Sequence, residues 1–159
     1  MATITSLLKA ATGNSQRGRN PYMVENTIDI VATTVDPSSA DVVQAITIPA
    51  GTKIMAAGVE VVESATMNTG TDATVTLGAA DPDEYVTAFD IDGAADGAYA
   101  PSVTVSADVV LASADTLDLT FAGSGASFTA GKLRVYAVMM DVSSQGDTSA
   151  DEVDRDTLA

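Results

Sequence analysis

Two stretches decide the architecture: Leu117-Asp118-Leu119-Thr120-Phe121 and, a few residues on, Leu133-Arg134-Val135-Tyr136-Ala137-Val138-Met139. In the first, and through Ala137 in the second, every other side chain is apolar and its neighbours are polar or aromatic with a polar tip. A period of two places successive side chains on opposite sides of an extended chain, so each stretch reads as a strand with one buried face. The same period extends backwards through the sequence. Val103, Val105, Ala107, Val109 and Leu111 alternate with Thr104, Ser106 and Asp108, and Ala73, Val75 and Leu77 alternate with Thr74 and Thr76 before Gly78. Tyr85, Thr87, Phe89 and Ile91 make a further face, as do Met55, Ala57, Val59 and Val61 opposite Glu60, with Gly58 as a candidate bulge. Val42 to Ile48 ends at the turn signal Pro49-Ala50-Gly51, and Ile28, Ile30 and Ala32 share a face opposite Thr27 and Asp29.

About eight strands thus fall in roughly 118 residues, separated by Gly, Pro, Asp and Ser clusters, the spacing of an antiparallel sandwich. The expected fold is all-β: a two-sheet, jelly-roll-like β-sandwich. Val42-Val43, Val61-Val62, Val109-Val110 and Val138-Met139-Met140 place apolar side chains on both faces of their strands. An outer face in water does not need them, so these strands are expected to be covered by another part of the chain or by another subunit.

The whole chain has 159 residues and a mass of 16.1 kDa, the size of one domain. It contains no Cys, His or Trp. That composition excludes a Ser-His-Asp triad, a Cys-His pair, a thiolate redox site and the usual zinc sites. No run of about 18 apolar residues is present to span a bilayer as a helix. The opening MATITSLLKAATGNSQ lacks the cationic and long apolar regions of a secretory signal.

The formal charge of −15 is unevenly spread. Residues 1–24 hold Lys9, Arg17 and Arg19 and no acid, so a +3 arm precedes a body of −18. Within the arm, Gly13 to Pro21 is small, polar and turn-forming, which reads as extended chain. Residues 25–143 are the expected sandwich domain, and residues 144–159 an acidic tail.

Three groups of residues invite a chemical reading. The stretch from Asp81 to Asp96 is rich in carboxylates, and Asp90, Asp92 and Asp96 are its candidate calcium ligands. The segment departs from an EF-hand loop, with its first Gly too early and no Glu at the twelfth position, so solvated loop charges are the expected reading and no metal or cofactor is assigned. Glu60 with Glu63, or Asp115 with Asp118, is the spacing at which paired carboxylates of a glycosidase would be sought, but no base, oxyanion donor or cofactor motif accompanies them. The chain is therefore expected not to be an enzyme. Arg17-Gly18-Arg19 resembles a minimal phosphate contact, yet three cations on so acidic a molecule make nucleic acid a poor partner, and an anionic membrane equally so. A protein partner fits better. Lys9, Arg17, Arg19 and Tyr22 are the expected arm contacts, with apolar support from Ile4, Leu7, Leu8 and Met23, while Tyr136 and Met140 are the expected subunit-interface residues.

Five phrases, VVQAITIPAGTKIMAAGVEVVESA, TVTLG, DEYV, ADTLDLTFAG and FTAGKLRVYAVMMDV, resemble the small head decoration (cement) or structural proteins of marine tailed bacteriophages, over about Glu25 to Val142. The resemblance implies a non-enzymatic virion component seated on the lattice of the major capsid protein, commonly as a homotrimer, that stiffens the head. Its acidity favours the outer capsid surface, because a −15 subunit repeated around packaged DNA would be repelled by it. At marine salt, short-range screening makes the like charge tolerable. The alternative expectation is a tail, fibre or secreted β-sandwich that binds carbohydrate or a receptor, with calcium as a requirement to test.

Overall fold

Nine strands and no helix are found among the described residues of the computed structural model, which are 3–4, 20–31, 40–69, 72–100, 110–123 and 128–142. In chain order they are β1 (Thr3–Ile4), β2 (Tyr22–Asp29), β3 (Val42–Ile48), β4 (Thr52–Met67), β5 (Ala73–Gly78), β6 (Val86–Asp90), β7 (Tyr99–Ala100), β8 (Asp115–Gly123) and β9 (Phe128–Asp141). They form two sheets, β1-β3-β8-β5-β6 and β2-β9-β4-β7.

The antiparallel pairs are nested. β5 pairs with β6, β4 with β7, β3 with β8 and β2 with β9, so the chain from β2 to β9 is one long hairpin. Its successive pairs lie alternately in the two sheets. Pairing of β9 with β4 and of β8 with β5 then closes each sheet across the fold. This is the winding of a jelly roll, two Greek keys in a two-sheet sandwich, and the expected fold class is the observed one. β1 adds to the β3 edge in parallel, Thr3 opposite Val42 and Ile4 opposite Val43.

The core is what the alternation demands. Leu117, Leu119 and Phe121 of β8 face Leu133, Val135, Ala137 and Met139 of β9 across the sandwich, all buried. Val43, Ile46 and Ile48, then Val59 and Val61, then Val75 and Leu77, fill the space between. Phe121 meets Phe128 edge to face with ring centroids 6.0 Å apart, the preferred geometry of an aromatic pair.

Three expectations shift in register. β4 slips against β9 between Ile54 and Ala56, so Ile54 is buried and Met55 points to solvent, the reverse of the simple alternation. An extra residue on one strand of a pair flips the side chains beyond it. Likewise β5 and β6 lose register between Val75 and Leu77, which leaves Thr87 exposed between the buried Val86 and half-buried Phe89. Gly58 is paired in register with Tyr136 and is no bulge. It is glycine because the Tyr136 ring lies over it: a Cβ there would run into the ring, 2.7 Å from Cε1. The alternating segment from Val103 falls outside the described residues up to Val110, which bridges Lys53.

Candidate interaction surface

Cross-strand register fixes which side chains share the outer face of the β2-β9-β4-β7 sheet. Inward positions are marked by Leu133, Val135, Ala137 and Met139, so the intervening Lys132, Arg134, Tyr136, Val138 and Met140 point outward. Rows then follow. Met23, Val138 and Ala56 form one, Glu25, Tyr136 and Gly58 the next, and Thr27, Arg134, Glu60 and Tyr99 the third. Asp29, Lys132 and Glu63 make the fourth, while Met140, Lys53 and Val110 form a row at the other end.

This face is graded along its strands. At one end Arg134 Nη1 donates to Glu60 Oε2 at 3.2 Å, and Lys132 Nζ donates to Glu63. Both pairs are partly exposed and each is worth little to stability, but together they neutralise the two glutamates considered above as paired catalytic acids. In the middle, Tyr136 crosses Gly58 to stack on Tyr99, centroids 5.4 Å apart and planes 26° from parallel. Burial first, then hydrogen bonding with Tyr99, holds the Tyr136 hydroxyl well above the usual phenol range, so it stays a neutral donor. At the far end apolar side chains surround Lys53: Met23 is 60 % exposed, Met55 42 % and Val110 43 %, beside the half-buried Val138 and Met140. Four of the five large apolar side chains exposed among the described residues, Met23, Met55, Tyr99 and Val110, belong to this one sheet.

Tyr136 and Met140 therefore share the face on which their alternation placed them. Tyr22 does not stand on the arm: it opens β2 opposite Met139 and packs against the core, because the inward alternation Tyr22, Val24, Asn26, Ile28 begins before residue 25. Lys9, Arg17 and Arg19, and the tail 144–159, lie outside the described residues. Tyr99 carries no sequence signal, since it joins the face only through pairing with Glu60, whereas Val110, one of the apolar pair Val109-Val110, reaches it through its bridge to Lys53.

The candidate calcium ligands are turned to separate structural tasks. Asp90 Oδ1 accepts from the Asp92 backbone N–H at 3.0 Å, and Asp96 Oδ1 accepts from the Ser64 N–H at 2.7 Å. Asp92 itself bridges Ala65, and the loop is laced to β4 by Gly97 N–H to the Val61 carbonyl and Val61 N–H to the Ala98 carbonyl. Among the described residues no three carboxylates gather where an ion could be held.

The outer face of the other sheet is of a different kind, a threonine surface around one carboxylate. Thr116, Asp118 and Thr120 of β8 lie between Gln44 and Thr47 of β3 and Thr74 and Thr76 of β5. Gln44 Nε2 donates to Thr116 Oγ1 at 3.1 Å. Where β3 and β8 end, a shallow groove of about 400 Å³ opens between Thr47, Pro49 and Asp115. Asp118 is the odd member: one carboxylate oxygen is shielded from water and without a hydrogen-bond partner, and desolvation holds its pKa above the ordinary 3.8, opposed by Thr116 and aided by the charge of Asp115. The raised pKa means that the folded chain binds this proton more readily than the unfolded one. Its cost is thus complete above the folded pKa and vanishes as the pH falls towards 3.8. Asp118→Asn is expected to raise the melting temperature at pH 7 and to leave it unchanged near pH 3, as read by circular dichroism across pH.

The described residues thus form an all-β jelly roll with two outer sheet faces of different character. Compared with known proteins, the chain matches no family model and no curated protein. Two solved structures share its fold. One is a chain of the capsid of Ralstonia phage GP4, with a TM-score of 0.56 and 15 % identity over 77 % of this chain and 86 % of that one. The other belongs to the acidic stable capsid structure of Helicobacter pylori bacteriophage KHP30, with a TM-score of 0.52 and 15 % identity over 76 % of this chain and 86 % of that one.

Proposed function

We propose that the chain is a non-enzymatic structural protein of a bacteriophage capsid, specifically a decoration protein that binds the outer surface of the major capsid protein lattice and associates with copies of itself. The observation that carries this reading is the shared jelly roll: two chains from phage capsids follow the same fold over three quarters of this one. The face described above supports it, since exposed methionines, valines and a tyrosine platform suit contact with protein. The sequence resemblance adds the decoration role, and with it a trimer. In this reading the +3 arm bridges to the acidic surface of a neighbour through Lys9, Arg17 and Arg19, where charge-assisted pairs supply specificity. The acidic body faces the medium.

Co-sedimentation with empty capsids tests it. The full chain is expected to pellet with shells, and a chain lacking residues 1–20 to remain in the supernatant while keeping its β-sheet circular dichroism. Equal occupancy of shells by the truncated chain would remove the arm from the mechanism, and failure of the full chain to bind any shell would remove the decoration role.

A further inference from the structure

We infer that the outer face of the β2-β9-β4-β7 sheet is the surface through which this chain meets a second copy of itself, an inference that rests on the self-association half of the function proposed above. Charge is the first argument. The described residues include only three cations, Lys53, Lys132 and Arg134, and register places all three on this face. They stand among Glu25, Asp29, Glu60 and Glu63, so the face is nearly balanced and both signs are interleaved. Elsewhere the charged side chains among the described residues are carboxylates alone, including Asp81, Asp83, Glu84, Asp90, Asp92 and Asp96. Two molecules of charge −15 repel most where surfaces that carry carboxylates alone approach each other. Here Arg134 and Lys132 already neutralise Glu60 and Glu63, so like-charge repulsion between two copies is least.

Apolar surface is the second argument. Met23, Met55, Val110, Val138 and Met140 cluster at one end of the face, next to the flat Tyr99–Tyr136 pair. Tyrosine and methionine are favoured at interface cores, and sheets stack face to face at about 10 Å with their inner side chains interlocked. Among the described residues, the threonine face of the other sheet offers no comparable patch.

Size is the third. The 40 residues of β2, β4, β7 and β9, at about 3.3 Å rise per residue and about 4.8 Å between strands, project roughly 600 Å² before side-chain relief is added. That approaches the about 800 Å² per partner of a standard interface.

The test is the mass of the full chain by sedimentation equilibrium at micromolar concentration in 0.1 M and 1 M NaCl. A multiple of 16.1 kDa is expected, with association tighter at the higher salt because repulsion between acidic bodies is screened. Val138→Glu, and independently Met23→Glu at the exposed edge strand, are expected to weaken association roughly tenfold or more while the sheet signal is kept. Ala122→Glu, which adds the same charge to the exposed face of the other sheet, is expected to leave the mass at the wild-type value. A wild-type mass of 16.1 kDa at every concentration, or dissociation by Ala122→Glu as complete as by Val138→Glu, overturns the inference. Capsid co-sedimentation is read separately. A monomer that still binds shells rejects this surface and leaves the decoration role standing, whereas an oligomer that ignores shells does the reverse.

Discussion

Leu119→Ala is expected to lower the melting temperature by roughly 10 °C. Leu119 is fully buried at the centre of β8, itself flanked by β3 and β5, and it pairs with Val43 on one side and Leu77 on the other. Neither neighbouring strand can move in to fill the gap without breaking its own ladder, so the loss combines the transfer energy of the deleted methyl groups with an unrelaxed cavity, about 3 kcal/mol. For a domain of this size each kcal/mol is worth about 3 °C. Thr120→Ala, one residue along and on the opposite face, is the matched control and is expected to change stability by less than about 0.5 kcal/mol. Thermal unfolding of the two variants side by side checks the inward and outward assignment of β8. Equal losses would mean that the strand is not one-sided.

Gly78→Ala is expected to be at least as costly. A methyl group at this position would overlap the backbone carbonyl of Asp81 and crowd Pro82, because the turn between β5 and β6 folds back across the end of β5. The obstacle is main chain, so relief requires the turn to move, and with it the hydrogen bonds from the Glu84 N–H to the Asp81 carbonyl and from the Tyr85 N–H to the Leu77 carbonyl. Displacing that turn exposes Tyr85 and Val86, both buried, and we expect a loss of about 3 kcal/mol or more, or failure to accumulate folded protein. Gly58→Ala offers the contrast. Its obstacle is the end of the Tyr136 side chain, which can swing aside, so the cost is smaller and appears as loss of the Tyr99–Tyr136 stack in near-ultraviolet circular dichroism. Similar melting temperatures for the two glycine variants would contradict this distinction between a rigid and a yielding neighbour.

The turn at Gly78 illustrates what was legible and what was not. Sequence placed the end of the strand at this glycine, because alternation from Ala73 stops there. It did not show why glycine is required, since Asp81 returns over the strand only in three dimensions. The same holds on β4. The alternation Ala57, Val59, Val61 marks the buried face, whereas Met55, which continues it in sequence, points outward because a bulge against β9 leaves no mark in the local pattern. Glu60 and Glu63 looked like a candidate pair of acids and prove to be the partners of Arg134 and Lys132, 74 and 69 residues away. The neighbours of Tyr22 in sequence group it with the basic arm, but its inward alternation with Val24 and Asn26 belongs to β2.

By itself the sequence determined the fold class, because a period of two repeated through the chain leaves few ways to bury one face of each strand. It also determined the acidity and the absence of histidine and cysteine, which are properties of composition and need no coordinates. Only the tertiary structure decided that the three cations of the described body, the exposed methionines and the two stacked tyrosines lie on one sheet face. That grouping arises from strands far apart in sequence, brought together by the nested pairing of the jelly roll and aligned by register, and neither pairing nor register is written in any local window of residues.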